Sequence, residues 1–260
     1  MKQTINVIVK TAKDGISRVI LNDPSTYNSL SLVTLKSLIK SFKSLNNDKK
    51  TKVIIIEGKG RGFCAGHNLK EIRTLKRKKY IKLFNLCSEL MLEIVEGQKP
   101  VIAKVHGAAF AAGCQLVASC DLAISSNDAI FATPGVNIGL FCSTPMVAVS
   151  RKVSRKKTMK MLLTGESINA KYAKEIGLIN DHYSKNKLEK EVIKIAKKIA
   201  SKSNLTIKIG KVGFYKQLEM PLKKAYKYTS KMMTKNMMAQ DAKEGISAFL
   251  EKRNPIWRNN

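Results

Sequence analysis

The chain has 260 residues, 44% of them hydrophobic, with 15 Gly and 6 Pro, which suits one large core and excludes collagen-like and low-complexity classes. No run approaches the roughly 18 unbroken apolar residues of a membrane span. Lys and Arg number 48 against 19 Asp and Glu, a net charge of +29 that favours anionic partners: nucleic acid, acidic lipid or a phosphorylated small molecule.

The opening reads as a hairpin, with strands from Ile5 to Val9 and Ile16 to Leu21 around a Lys13-Asp14-Gly15 turn, closed by Asp23-Pro24. Leu32, Leu35, Leu38, Ile39, Phe42 and Leu45 recur at helical spacing, and Asn46-Asn47-Asp48 stops the pattern. Val53 to Ile56 is a β-branched run of the kind covered on both faces in a parallel sheet. A basic segment from Lys70 to about Val95 predicts a helix, Pro100 to Val105 a second buried strand, and the small-residue run Ala108 to Gly113 the opening of another helix. Asp121 to Ser125 and Phe131 to Pro134 predict further strands, and from Pro145 the chain reads as helical. Strand-helix repeats thus fill the N-terminal two thirds, and no linker separates them from the rest.

The basic residues are 40 Lys and 8 Arg spread along the chain, whereas nucleic-acid surfaces favour clustered Arg, so nucleic acid is the less favoured partner. Abundant Lys, Asn and Ile are also what an AT-rich genome produces. The five cysteines, Cys64, Cys87, Cys114, Cys120 and Cys142, form no CxxC, which fits reduced thiols better than disulfides or a metal site. The N-terminal segment has neither an apolar signal core nor an Arg/Ser-rich presequence, so a cytoplasmic location is expected, with the mitochondrial matrix as the alternative.

Two places share one design, a buried strand running into small residues and then a helix: Gly62 to Leu69 and His106 to Gln115. Small side chains there let a ligand approach backbone N–H groups, which is the logic of an oxyanion hole. At the second place the donors lie at a helix start, where unpaired N–H groups and the helix dipole both favour negative charge. Close helix-sheet packing is the competing explanation.

Those residues resemble motifs of the enoyl-CoA hydratase/isomerase, or crotonase, superfamily. Gly62-Phe63-Cys64-Ala65-Gly66-His67-Asn68-Leu69 is similar to its FxAG(A/H)(D/N)L motif, and KPVIAKVHGAAFAAGCQLVASCD, ending at Asp121, is similar to its KPVIAxVNGxAxGGGxExAxxCD block. Asn28-Ser29-Leu30-Ser31, the stretch from Leu163 to Leu178, and Glu244 to Trp257 match further family segments in order. The resemblance implies an α/β crotonase-like ββα spiral core over residues 1–200, with a C-terminal helical region, 201–260, in the same functional unit. It also implies a homotrimer or dimer of trimers, an acyl-CoA thioester substrate, and coenzyme A as part of that substrate rather than a tightly bound cofactor. Carried over by position, the oxyanion donors would be the amides of His67 and Ala112, and the Ala65, Gly66 and Asn68 loop would meet the coenzyme. Ala at 111 and 112, where the family has glycines, narrows the site.

Hydratases of the family use two carboxylates to activate water and move the α-proton. The two positions here are Gln115 and Gly135, and a mitochondrial-type enoyl-CoA-hydratase-domain subgroup of the family shows the same pattern. A neutral amide can orient water without taking its proton, and glycine can do neither. Asn137, Phe141, Cys142, Ser143 and Thr144 fill the segment where an isomerase acid would sit, and Asp128 reads as a surface turn residue. Hydration is therefore doubted, with decarboxylation, thioester hydrolysis, non-catalytic coenzyme A binding or RNA binding as alternatives. His67 is a candidate proton-transfer side chain, Cys142 to Thr144 candidates for a nucleophile or water-orienting hydroxyl, and the seven basic residues between Lys70 and Lys82 candidates for the coenzyme phosphates. Asn68 reads as a loop-fixing residue, Asp121 as a strand-entry cap and His106 as a turn residue.

Overall fold

The computed structural model describes residues 5–259, so the expectations for the first four residues lie outside it. The opening hairpin forms between β1 (Val7–Thr11) and β2 (Ile16–Leu21), two residues later in its first strand than the alternation suggests. Helix α1 (Leu32–Asn47) starts where the Ser31 side chain accepts from the Thr34 N–H, and its buried Leu35, Leu38, Ile39, Phe42 and Leu45 recur every three or four residues. Strand β3 (Val53–Gly58) pairs in parallel with β2 and with β4 (Val101–Val105), and β6 (Leu122–Ser126) and β9 (Asp181–Tyr183) extend the same parallel array. Both faces of this sheet are covered. Ile54 and Ile56 join one core with α1, while Val53 and Ile55 join another with Leu188, Val192, Ala196 and Ala200 of α8 (Lys185–Ala200).

A second sheet holds β5 (Ala108–Phe110), β7 (Ile130–Ala132) and β8 (Ile168–Asn169). The chain leaves β4 for β5 through His106-Gly107. Gly107 has φ +55, and a β-carbon there would stand 2.2 Å from the Arg61 carbonyl oxygen, so only glycine turns this corner.

Several expected boundaries move. The segment from Lys70 to Val95 is two helices, α2 (Leu69–Ile72) and α3 (Arg77–Val95), separated where Leu75 turns in to pack on the core. The run Ala108 to Gly113 does not open directly into a helix: its first three residues pair with β7, and helix α4 (Ala112–Ser119) follows. Asp121 precedes its strand and caps the neighbouring one, its Oδ2 accepting from the Val101 N–H at 2.7 Å. Helices α5 (Ser143–Val149), α6 (Arg155–Thr164) and α7 (Ala170–Glu175) are interrupted by β8 and β9, strands of two and three residues inside a stretch expected to be helical.

Helices α9 (Asn204–Leu218), α10 (Leu222–Met237) and α11 (Gln240–Leu250) complete the chain. Lys211 of α9 is buried and donates to the carbonyls of Ile94 and Lys99, at 2.8 Å each, and to Asp121 Oδ2 at 2.7 Å. Met232 packs on Gly213, while Met233, Met237 and Met238 remain exposed. The last residues are latched by Asp241, whose carboxylate accepts from the Ser203 hydroxyl at 2.5 Å and from the N–H groups of Arg258 and Asn259. Trp257 lies against Gly245 and donates its indole N–H to the Ser201 carbonyl at 2.8 Å. No helix of the described residues is long and apolar enough to cross a membrane.

Candidate active site

The two small-residue segments meet. The Cys64 N–H donates to the Ala108 carbonyl at 3.0 Å and the Phe110 N–H to the Cys64 carbonyl at 2.9 Å, a strand-like pairing that lays the first loop along β5. The Ala65 N–H is taken by the Tyr27 carbonyl and the Gly66 carbonyl by the Leu30 N–H, so the loop is held on both sides. Gly66 sits at φ +92, and a β-carbon on it would stand 3.3 Å from the Ala112 nitrogen and 3.1 Å from the Ala111 methyl. The residue before His67 therefore touches the first turn of α4. Among the described residues the His67 and Ala112 N–H groups donate to no protein acceptor. Two unpaired donors, one at the start of a helix, are thereby gathered in one place, which is the arrangement an oxyanion needs.

Ala111 departs from the glycine pattern at a cost beyond narrowing. Its φ of 48 and ψ of −115 fall where an L residue with a β-carbon is strained, and the backbone is held there by the Ala111 N–H bond to the Ala132 carbonyl and the Gln115 N–H bond to the Ala111 carbonyl.

Gln115 is buried in α4, and its Oε1 lies 3.7 Å from the Cys87 Sγ of α3, which donates to it. Gly135 lies in a 3₁₀ segment, Pro134–Ile138, and its carbonyl accepts from the Leu140 N–H at 2.9 Å. A β-carbon at Gly135 would be 2.4 Å from the Leu140 carbonyl oxygen and 3.0 Å from the Cys142 Sγ, so the loop fills the space that any side chain at this position would need. Neither position holds an acid, and the second has no room for one.

His67 packs edge-on against Phe84 with ring centroids 5.6 Å apart. Its Nδ1 lies 3.2 Å from the Leu30 carbonyl, an acceptor only, so Nδ1 carries the proton and Nε2 keeps its lone pair. That Nε2 is buried with no partner. Burial lowers the ring's pKa, and the Leu30 carbonyl opposes this in part, so the neutral form prevails at pH 7.

Cys64, Cys87 and Cys114 are pushed up to about 12 by burial, and Cys142 is also raised by burial, so these four remain thiols rather than nucleophilic thiolates. All five cysteines are free. Ser143 bonds the Phe141 carbonyl at 3.4 Å, and the Asn137 side chain is directed at Gly165; neither is paired with a base. Among the described residues no cluster of His, Cys, Asp or Glu has the makings of a metal site.

Asn68 caps α2, its Oδ1 accepting from the Glu71 N–H at 3.1 Å, while Glu71 reaches back to the Leu32 N–H. His106 holds the Gly60 carbonyl through Nε2 at 2.9 Å. Asn28 is more important to the loop than its place in a short motif suggests. Fully buried at φ 58, it donates to the carbonyls of Lys59 and Gly62 and accepts from the Asp23 N–H, pinning the approach to Gly66. Phe84 and Cys87 also escaped the sequence reading; only their helical spacing hinted that they share a face.

A family model for enoyl-CoA hydratase/isomerase matches residues 11–260. The mouse mitochondrial enoyl-CoA hydratase domain-containing protein 3 is 47% identical over 246 residues, covering 94% of this chain and 82% of the relative. A probable mitochondrial enoyl-CoA hydratase of Dictyostelium discoideum is 31% identical over 255 residues, covering 96% and 90%. Among solved structures, an enoyl-CoA hydratase of Mycobacterium smegmatis superposes with a TM-score of 0.96 at 44% identity, covering 98% of this chain and 99% of its own. Human enoyl-CoA hydratase domain-containing protein 3 gives 0.94 at 45%, covering 97% and 100%. With its parallel-rich sheet, its paired small-residue segments and these matches over nearly its whole length, the chain belongs to the enoyl-CoA hydratase/isomerase family.

Proposed function

We propose that the protein is an enzyme that binds an acyl-CoA thioester and polarises its carbonyl with the backbone N–H groups of His67 and Ala112. The observation that carries this reading is the pair of unpartnered donors brought together through Gly66. Such donors stabilise the negative charge that develops on the thioester oxygen as an enolate forms, and being backbone groups they need no reorganisation to do so. Hydration through the family's carboxylate pair does not suit Gln115 and Gly135. Decarboxylation is the second reading, because loss of carbon dioxide generates the enolate without a base, and the closed Gly135 loop offers none.

Coenzyme A would lie along the Ala65 to Asn68 loop, where the Ala65 carbonyl accepts no protein hydrogen bond among the described residues. Lys70, Arg73, Lys76, Arg77, Lys78, Lys79 and Lys82, all exposed, follow that loop and are suited to its phosphates. Exposed Phe214, Leu222, Tyr226, Phe249 and Leu250 on the C-terminal helices supply an apolar surface for a homotrimer. The names of the relatives favour a mitochondrial location over a cytoplasmic one.

The test is a mass-spectrometric screen of the purified protein against enoyl-, malonyl-type and saturated acyl-CoA thioesters, with binding measured in parallel by calorimetry. Loss of carbon dioxide, addition of water or release of free coenzyme A identifies the reaction. Absence of binding to every thioester rejects the proposal.

A further inference from the structure

His67 carries one of the two proposed oxyanion donors on its backbone, and its side chain bears the one buried ring nitrogen left without a partner among the described residues. The ring is held by the Leu30 carbonyl at Nδ1 and packs in a T-shaped contact with Phe84. Phe84 and Cys87 lie three residues apart on α3 and so share one face of it. Phe84 meets His67 and Cys87 meets Gln115, so one face of α3 backs both side chains. His67 itself follows Gly66, whose backbone approaches the Ala112 nitrogen. A neutral imidazole whose tautomer is fixed by a carbonyl, with a buried lone pair that no protein donor uses, is an acceptor available for a proton.

We infer that His67 is the proton-transfer residue of this site, its Nε2 removing the α-proton of the bound acyl-CoA thioester. The inference rests on the acyl-CoA reading above. The C–H bonding pair becomes the C1=C2 π bond of the enolate, and the carbonyl π pair moves onto the oxygen held by the two N–H groups. The imidazolium then returns its proton from Nε2 to C2, restoring the thioester, or to C4 when a C3=C4 double bond is present, which shifts that double bond. No second base and no co-reactant is needed, in keeping with Gln115 and Gly135. Because Nδ1 and not Nε2 holds the resting proton, the site is set up to take a proton before giving one.

The test uses the intact protein with butyryl-CoA in D₂O, reading deuterium incorporation at C2 by mass spectrometry and affinity by calorimetry. Wild-type protein should bind and exchange. His67→Asn keeps a donor near Nδ1 for Leu30 and keeps the backbone N–H, but lacks Nε2. It should bind within about 3-fold of wild type and exchange about 100-fold or more slowly, the usual scale of a lost general base. Equal exchange in His67→Asn, or binding without exchange in wild type, overturns the role of His67 and leaves the thioester-binding reading intact; no binding by wild type overturns that reading itself. If the variant does not fold, ¹⁵N NMR of histidine-labelled wild type, assigned by removing His106 and His182, decides the matter: a proton on Nε2 in place of Nδ1 refutes the proposal.

Discussion

Gly135 and Leu140 close a loop on each other: the Leu140 N–H donates to the Gly135 carbonyl at 2.9 Å, and a β-carbon on Gly135 would stand 2.4 Å from the Leu140 carbonyl oxygen. Restoring an acid at this position therefore requires the loop to open. Gly135→Glu should lower stability by about 2 kcal/mol or more through overpacking. The double variant Gln115→Glu/Gly135→Glu should gain no enoyl-CoA hydration. Urea midpoints and a spectrophotometric hydratase assay check both statements, and a hydratase gained without loss of stability would contradict them.

At Ala111 the strain is removable. Ala111→Gly relieves a φ of 48 with ψ −115, and the relief outweighs the added freedom of the unfolded chain by about 1 kcal/mol. The same change takes away the methyl that faces Gly66, so bulkier acyl-CoA thioesters should bind better. Chemical denaturation and calorimetry with a branched-chain thioester give the two numbers, and a lowered midpoint would show that the strain is imaginary.

Lys211 joins the C-terminal helices to the strand entries, its side chain only 6% exposed and its three donors all used. Lys211→Met should cost about 3 kcal/mol, because it leaves Asp121 and two carbonyls without their cation. Adding Asp121→Asn to that variant should recover part of the loss. A double-mutant cycle measured by urea unfolding tests this; strict additivity would mean the pair is not coupled.

Glu244 pairs with Arg253 and accepts from the Ile256 N–H, and these contacts lower its pKa to about 2. A depressed folded-state pKa makes its contribution fully present above the ordinary carboxylate range and lost as the pH falls through about 2. The stability gap between wild type and Glu244→Gln should thus hold constant from pH 7 to pH 5 and shrink below. Urea titrations at a series of pH values follow the gap; one that widens in acid has the wrong sign for this mechanism.

Much of the fold was readable because long elements write their periodicity plainly. The stripe from Leu35 to Leu45 marks α1, and the run Val53 to Ile56 marks a strand buried on both faces. Strands β8 and β9 were not readable, since two or three residues carry no period and their pairing with β7 and β6 is supplied by distant chain. The same distinction holds at the site. Small residues at Gly66 and at 111–113 announced a close approach of backbones, and family likeness located the donors. What fills the space beside Gly135, which atom of His67 lies against Leu30, and how Phe84 and Cys87 link His67 to Gln115 depend on contacts between segments far apart in the chain. Sequence spacing does not encode them. The Ala111 strain was missed for a related reason: a glycine replaced by alanine looks like a change of size until its φ is known.

The three bonds of Lys211 also set when one end of the sheet is completed as the chain is synthesised. Strands β2, β3, β4 and β6 emerge from the ribosome well before α9, yet the carboxylate of Asp121 and the carbonyls of Ile94 and Lys99 have no cation until α9 arrives. Until the lysine docks, that end of the sheet lacks three of its hydrogen bonds, and incompletely packed ends of this kind are what chaperones and proteases engage. A stop codon placed after β9 and before residue 211 would leave a chain that contains every proposed catalytic group but lacks the lysine that ties Asp121 to the C-terminal helices.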